Sequence, residues 1–224
     1  MTGTRAHPRQ EITLDQQVAL RTAAIRLTEE FDGSYGTETI ERFLHTSYDQ
    51  FATAASIANH LPLLAERFAR QRLRALARVE GHHRDGRPVV LFLCTHNAGR
   101  SQMALGFFAH LAGDRAVAWS GGSEPAIEIN PAAIAAMAER GIDISAEFPK
   151  PWTDEVVRAA DVVVTMGCGD ACPVFPGTRY ENWTVDDPAG LDLAGVRPIR
   201  DEIERRVRLL LTQIGISSTT GQRA

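Results

Sequence analysis

Val89–Phe108 reads VVLFLCTHNAGRSQMALGFF, and the second half of the chain can be ordered outward from it. Val89 to Leu93 is a short apolar run, suited to a parallel strand buried on both faces. Ser101 to Ala112 has a helical pattern. Between them, Cys94 is followed by Thr95, His96, Asn97, Ala98, Gly99 and Arg100. A Cys six residues before an Arg is common by chance, but between a strand and a helix each residue acquires a task. Successive N–H groups of a tight loop can form a concave nest for a tetrahedral oxyanion. The first turn of the next helix adds free N–H groups and the positive end of its dipole. Gly99 permits close approach, and Asn97 tolerates left-handed backbone angles. Arg100 presents a planar fork to two oxyanion oxygens at once. The same positive surroundings favour the thiolate of Cys94, which is the nucleophilic form, and Ser101 can donate a hydrogen bond to that sulfur. The bland alternative is a buried core cysteine at a strand end. His96 fills a loop position and receives no acid–base role.

Downstream, strands and helices alternate. Ala116 to Ser120 reads as a strand and Pro131 to Arg140 as a helix closed by Gly141. Trp152 to Ala159 reads as a helix, Asp161 to Met166 and Tyr180 to Val185 as strands, and Val196 to Ile214 as a long closing helix. This alternation predicts an α/β fold, a four-stranded parallel sheet with helices on both faces. Ligands on such sheets bind beyond the carboxyl ends of the strands, where Cys94 falls.

Upstream, only helical patterns occur. Thr13 is a capping residue for a first helix carrying Leu20, Ala24, Leu27 and Phe31 at helical spacing, broken by Gly33 and Gly36. A second helix starts near Thr37 with Ile40, Phe43 and Leu44 on one face. A third begins around Pro62, with Leu64, Phe68, Leu73 and Leu76 inward. The expected organisation is a small all-α three-helix bundle over residues 1–80, a polar linker at 81–88 (GHHRDGRP), and the α/β domain over 89–224. His82 and His83 lie in the linker without Cys, Asp or Glu at ligand spacing, so no metal site is expected. Arg67, Arg70, Arg72, Arg74 and Arg78 on the third helix read as a solvated face before they read as a nucleic-acid surface. A docking or dimerisation role suits the helices better than DNA binding, and the oligomeric state is open.

Composition narrows the functional classes. A net charge of -4 over 224 residues argues against a general nucleic-acid binder. No stretch approaches the roughly 20 apolar residues of a membrane span. The polar start lacks a signal-peptide core, so a cytoplasmic protein is expected. There thiols stay reduced, and the three cysteines, Cys94, Cys168 and Cys172, are expected to be catalytic, redox-active or metal-bound.

The Cys-x5-Arg-Ser loop between first strand and first helix resembles that of the low-molecular-weight protein tyrosine phosphatases. Those enzymes use the Asp of a late Asp-Pro pair as general acid, and this chain carries Asp187-Pro188 in VDDPAG before its last helix. The wording is closer still to the arsenate reductases on that fold, through CTHNAGRSQMALGFF, NPAAIAAMAERGIDIS, DVVVTMGCGDACPVFPG and DDPAG. The likeness covers roughly Val89 to Gly215. It implies arsenate as substrate, phosphate as competitor, no tightly bound cofactor, and an external thiol reductant, thioredoxin or mycothiol with mycoredoxin. Cys168 and Cys172 follow the strand ending at Met166. If that segment makes a helical turn, their spacing of four places the Cα atoms about 6 Å apart, within disulfide range. Two free cysteines, or half of a zinc site, are the competing readings. The resemblance implies that Cys168 attacks the Cys94 sulfur and that Cys172 completes a relay, and three thiols together favour thioredoxin as donor. Three departures matter. The redox cysteines of thioredoxin-coupled members are usually further apart than Cys168 and Cys172. Thioredoxin-coupled members commonly carry a potassium-linked Glu where this chain has Leu105, so that site is not carried over. Phosphatases usually place an aromatic residue where Ala189 follows Pro188. A tyrosine phosphatase, and a helical regulatory module on a degenerate enzyme domain, remain the alternatives.

Overall fold

A computed structural model describes residues 12–52, 60–82, 85–167 and 174–217. The chain falls into two compact units that divide between Ala77 and Arg78. The elements of the first are α1 (Leu14–Glu30), α2 (Thr37–Ala52) and all but the last three residues of α3 (Leu61–Glu80). Thr13 caps α1 as its sequence predicts, in a reciprocal box with Gln16. Leu20, Leu27, Ile40, Leu44, Phe68 and Leu73 are buried, and the Phe51 and Phe68 rings meet edge to face with centroids 5.6 Å apart. Fully burying each such side chain contributes about 1.5–3 kcal/mol. The expected inward stripe of α3 needs correction. Leu64 and Leu76 are only half-buried, and Ala65, Ala69, Ala75 and Ala77 take inner positions instead. Short side chains permit close approach of helices, and an apolar stripe does not reveal this preference.

The α3 arginines are not simply solvated. Arg70 pairs with Glu30 at 2.6 Å and with the buried Glu66 at 2.8 Å, and Arg26 also binds Glu66. Arg74 reaches Glu30 at 2.7 Å. Arg72 lies over the Phe43 ring at 4.6 Å and donates to Ser47 at 3.1 Å. These cations tie helix to helix.

In the second unit, β1 (Val89–Cys94), β2 (Val117–Gly122), β3 (Val162–Met166) and β4 (Arg179–Asn182) form one four-stranded parallel sheet in the order β2-β1-β3-β4. Its helices are α4 (Arg100–Ala112), α5 (Pro131–Ala138), α6 (Asp154–Ala159) and α7 (Leu193–Gln213). All six residues of β1 are buried, as a central strand requires. Val90, Phe92 and Cys94 join the core formed with α4, α5 and α7. Leu91 and Leu93 point to the opposite face and are fully buried there.

The sheet matches the expected class, with shifted boundaries. β2 runs on to Gly122, pairing Gly121 with Leu93 and Gly122 with Cys94. Glycine carries little strand signal, so this end was invisible in the pattern. β4 stops at Asn182 rather than Val185, α5 stops at Ala138, and α6 starts at Asp154 after Thr153. The closing helix starts at Leu193 rather than Val196, because the Asp192 side chain accepts from Gly195 N at 2.9 Å and caps it.

Candidate active site

Cys94 closes β1 at the carboxyl end of the sheet and is buried. Its Sγ lies 3.0 Å from Ser101 Oγ and accepts from the peptide N–H of Asn97 at 3.2 Å. Gly99 occupies the N-cap of α4 without a side-chain cap, which leaves the helix's first N–H groups uncapped by any side chain.

The carbonyls of the loop define its polarity. Thr95 O accepts from Glu124 N at 2.8 Å, His96 O from Ala126 N at 2.9 Å, and Ala98 O from Asn130 N at 2.9 Å. Gly99 O begins the helix by accepting from Met103 N at 2.9 Å. Asn97 O accepts from Gln102 Nε2 at 3.0 Å. No cis peptide bond occurs among the described residues, so each N–H points opposite to the carbonyl of the residue before it. Carbonyls turned out to the scaffold therefore turn the N–H groups of His96, Asn97, Ala98 and Gly99 inward. The Asn97 N–H on Cys94 Sγ is the visible instance. This is a nest of donors around a sulfur, the geometry that receives a tetrahedral oxyanion.

Asn97 makes the bend possible. It is the one non-glycine residue with positive φ among the described residues, at 47°. Its carboxamide is held at both ends, Nδ2 donating to Ser101 Oγ at 2.8 Å and Oδ1 accepting from Lys150 N at 3.0 Å. Gly122 lets the loop lie against β2, since a Cβ there would sit 2.6 Å from Thr95 O.

Arg100 and Asp187 meet although 87 residues apart in sequence, Nη2 to Oδ2 at 2.6 Å. The Arg100 side chain is 9% exposed and that of Asp187 47%, so the pair joins a sunken cation to a carboxylate at the mouth. Asp187 Oδ1 also accepts from Ala189 N at 3.0 Å, and Asn130 Nδ2 donates to Pro188 O at 3.0 Å. Thr95 Oγ1 donates to Gly167 O at 2.9 Å, which ties the loop to the end of β3. Gly167 has φ of 77°, and a Cβ there would stand 2.8 Å from Arg100 Nη1.

The residues singled out in the sequence thus fall together: Cys94, the loop from Thr95 to Gly99, Arg100, Ser101 and Asp187. The His96 ring meets Glu124 O at 3.1 Å, a loop contact. Cys168 and Cys172 lie outside the described residues. The sequence reading missed Gln102, Asn130 and the segment from Phe148 to Lys150, which together hold the loop from behind. Gln102 looks like any polar residue in a helical turn, and Asn130 and Lys150 lie 32 and 53 residues from the loop atoms they bind.

Residues 89–219 match the family model for low molecular weight phosphotyrosine protein phosphatase. The chain belongs to that family. Residues 20–77 match a second model, the protein-tyrosine-phosphatase-like N-terminal domain. Among curated members, arsenate reductase 1 of Staphylococcus epidermidis is 43% identical over 122 residues, covering 53% of this chain and 91% of that protein. The arsenate reductase of Halalkalibacterium halodurans is 42% identical over 130 residues, 54% of this chain and 92% of that protein. Among solved members, a thioredoxin-dependent arsenate reductase of Corynebacterium glutamicum superimposes with a TM-score of 0.80 at 44% identity. That match spans 89% of this chain and 97% of the other. An arsenate reductase in its phosphate-binding state gives a TM-score of 0.52 at 34% identity over 57% of this chain and 99% of that one.

Proposed function

We propose that this family member reduces arsenate to arsenite. The observation that carries the reading is the loop of inward N–H groups around Cys94 Sγ with Arg100 at its rim. The likeness to a thioredoxin-dependent arsenate reductase along both units supports it.

In the proposed sequence, the loop and Arg100 hold arsenate, and Cys94 thiolate attacks arsenic. Asp187 gives a proton to the departing oxygen, which leaves as water if it was an arsenic-bound hydroxyl and as hydroxide if it was a bare oxygen, and a sulfur–arsenic bond remains. Cys168 thiolate then attacks Cys94 Sγ. A disulfide forms, the sulfur–arsenic electron pair stays on arsenic, and arsenite departs. Cys172 thiolate attacks Cys168, freeing Cys94 thiolate and leaving a Cys168–Cys172 disulfide for an external dithiol. The chain order supports this relay: Cys168 directly follows Gly167, whose carbonyl receives Thr95 Oγ1 of the loop. Thioredoxin is the proposed donor, ahead of mycothiol with mycoredoxin. No helix among the described residues is long and apolar enough to cross a membrane.

Phosphate shares the charge and shape of arsenate, so it binds the same nest and competes. Selectivity then arises at the disulfide step, which phosphate does not undergo. The test is arsenate-dependent NADPH oxidation with thioredoxin or mycothiol systems, for wild type and Cys172→Ser. Loss of turnover with thioredoxin in the variant supports the relay. Unchanged turnover removes Cys172 from it, and indifference to millimolar phosphate removes the shared nest.

A further inference from the structure

We infer that Gln102 is a positioning residue which holds the Asn97–Ala98 peptide in its anion-accepting orientation and so sets oxyanion affinity without touching the anion. This rests on the reading of the loop as an oxyanion site. Four loop carbonyls, those of Thr95, His96, Ala98 and Gly99, are held by main-chain N–H groups. The fifth, Asn97 O, is held by the side chain of Gln102, Nε2 to O at 3.0 Å. The peptide it anchors carries the Ala98 N–H, one of the donors aimed inward. With that anchor gone, the peptide can rotate, pointing a carbonyl at the anion and the N–H away from it. One inward donor becomes one inward acceptor, beside a residue already at a φ of 47°.

The environment of Gln102 argues for this task. The residue is completely buried on the first turn of α4. Its Nε2 faces three acceptors, Asn97 O at 3.0 Å, Asn97 Oδ1 at 3.1 Å and Phe148 O at 3.1 Å. Its Oε1 is buried and meets no donor among the described residues. Turning the amide over would set Oε1 against those acceptors, so the chemistry of the neighbours decides its orientation. Two amide hydrogens shared among three acceptors, with a dry oxygen opposite, is a poor arrangement for stability alone. A methionine would fill a similar volume without an orphaned acceptor. The amide is explained by its grip on both oxygens of Asn97 and on Phe148, two residues before Lys150, whose N–H donates to Asn97 Oδ1.

The test uses the full chain as Gln102→Met, with Gln102→Leu as a second variant. Inorganic phosphate and arsenate each protect Cys94 from iodoacetamide, read on the Cys94 peptide by mass spectrometry. Thermal melts and arsenate kinetics accompany the protection curves. The expected result is a phosphate Kd and an arsenate KM raised about tenfold, the worth of one net hydrogen bond. Leaving Asn97 O unpaired lowers the melting temperature somewhat, and kcat falls less than KM rises. A merely structural Gln102 gives a lowered melting temperature with the phosphate Kd of the folded protein unmoved, and overturns the inference. In wild type, saturating phosphate shifts the Gln102 side-chain amide resonances together with those of the loop. Loop shifts without a Gln102 shift overturn the inference even if neither variant folds. If wild-type Cys94 is protected by neither anion, the oxyanion reading falls and carries this inference with it. Protection in wild type and equal protection in the variants removes this inference alone.

Discussion

Gly99→Ala tests how Asp187, the proposed general acid, is placed. A Cβ at Gly99 would lie 2.5 Å from Pro188 Cγ, about 0.9 Å inside the 3.4 Å lower edge of ordinary van der Waals contact. Pro188 is a stiff ring, so it cannot swing aside as a long side chain would. Its carbonyl is held by Asn130 Nδ2, and its neighbour Asp187 is paired with Arg100. The strain must therefore pass into the Asp187–Pro188 turn, moving the carboxylate by roughly 1 Å. A misplacement of that size at a reacting group costs about 10²-fold in rate. Overpacking of this kind also costs about 1–3 kcal/mol of stability. The assay is thioredoxin-coupled arsenate turnover with thermal melts, for Gly99→Ala, Pro188→Ala and the double variant. The expected result is a kcat lowered about 10²-fold in Gly99→Ala, with substantial recovery in the double variant, where Cγ is gone. A Gly99→Ala enzyme within twofold of wild type, or a double variant with purely additive losses, would refute the claim that this contact places the acid.

Three further outcomes follow from the same geometry. Arg100→Lys keeps the charge and loses the planar fork, so phosphate protection of Cys94 weakens about ten- to hundredfold; unchanged protection would show that the loop N–H groups suffice. Ser101→Ala removes the hydroxyl 3.0 Å from Cys94 Sγ, and Cys94 alkylation at pH 7 slows about tenfold, while an unchanged rate assigns Ser101 to packing. In the helical unit, burial raises the Glu66 carboxyl, but hydrogen bonds and charge from Arg26 and Arg70 outweigh it and hold Glu66 below the usual carboxylate range. A depressed carboxylate stabilises above its unfolded value and loses that contribution as pH falls through the folded one. Melts recorded from about pH 5 to about pH 3 should therefore show the melting temperature of wild type falling more steeply than that of Glu66→Gln. Parallel curves would mean the pair contributes nothing.

The local chemistry was legible in the sequence because it is written in contiguous residues. A buried apolar run, a loop with Asn97 and Gly99, and a helix opening beside Arg100 specify strand, nest and dipole through short-range sterics alone. Cys94 and Arg100 must share that loop, because only five residues separate them. The capping box at Thr13 is legible for the same reason. The strand boundaries were not, since Gly121 and Gly122 join the sheet for the room they leave rather than for any strand preference.

Tertiary structure decided the rest. Which way the loop carbonyls turn depends on Glu124, Ala126 and Asn130, and the hold on Asn97 depends on Lys150. Asp187 meets Arg100 only because the chain returns across β3 and β4 to the carboxyl edge of the sheet. Propensity and pattern act through neighbouring bonds and fade over a few residues. The polarity of an oxyanion nest is set by partners tens of residues away, and those arrive only when the whole sheet has packed.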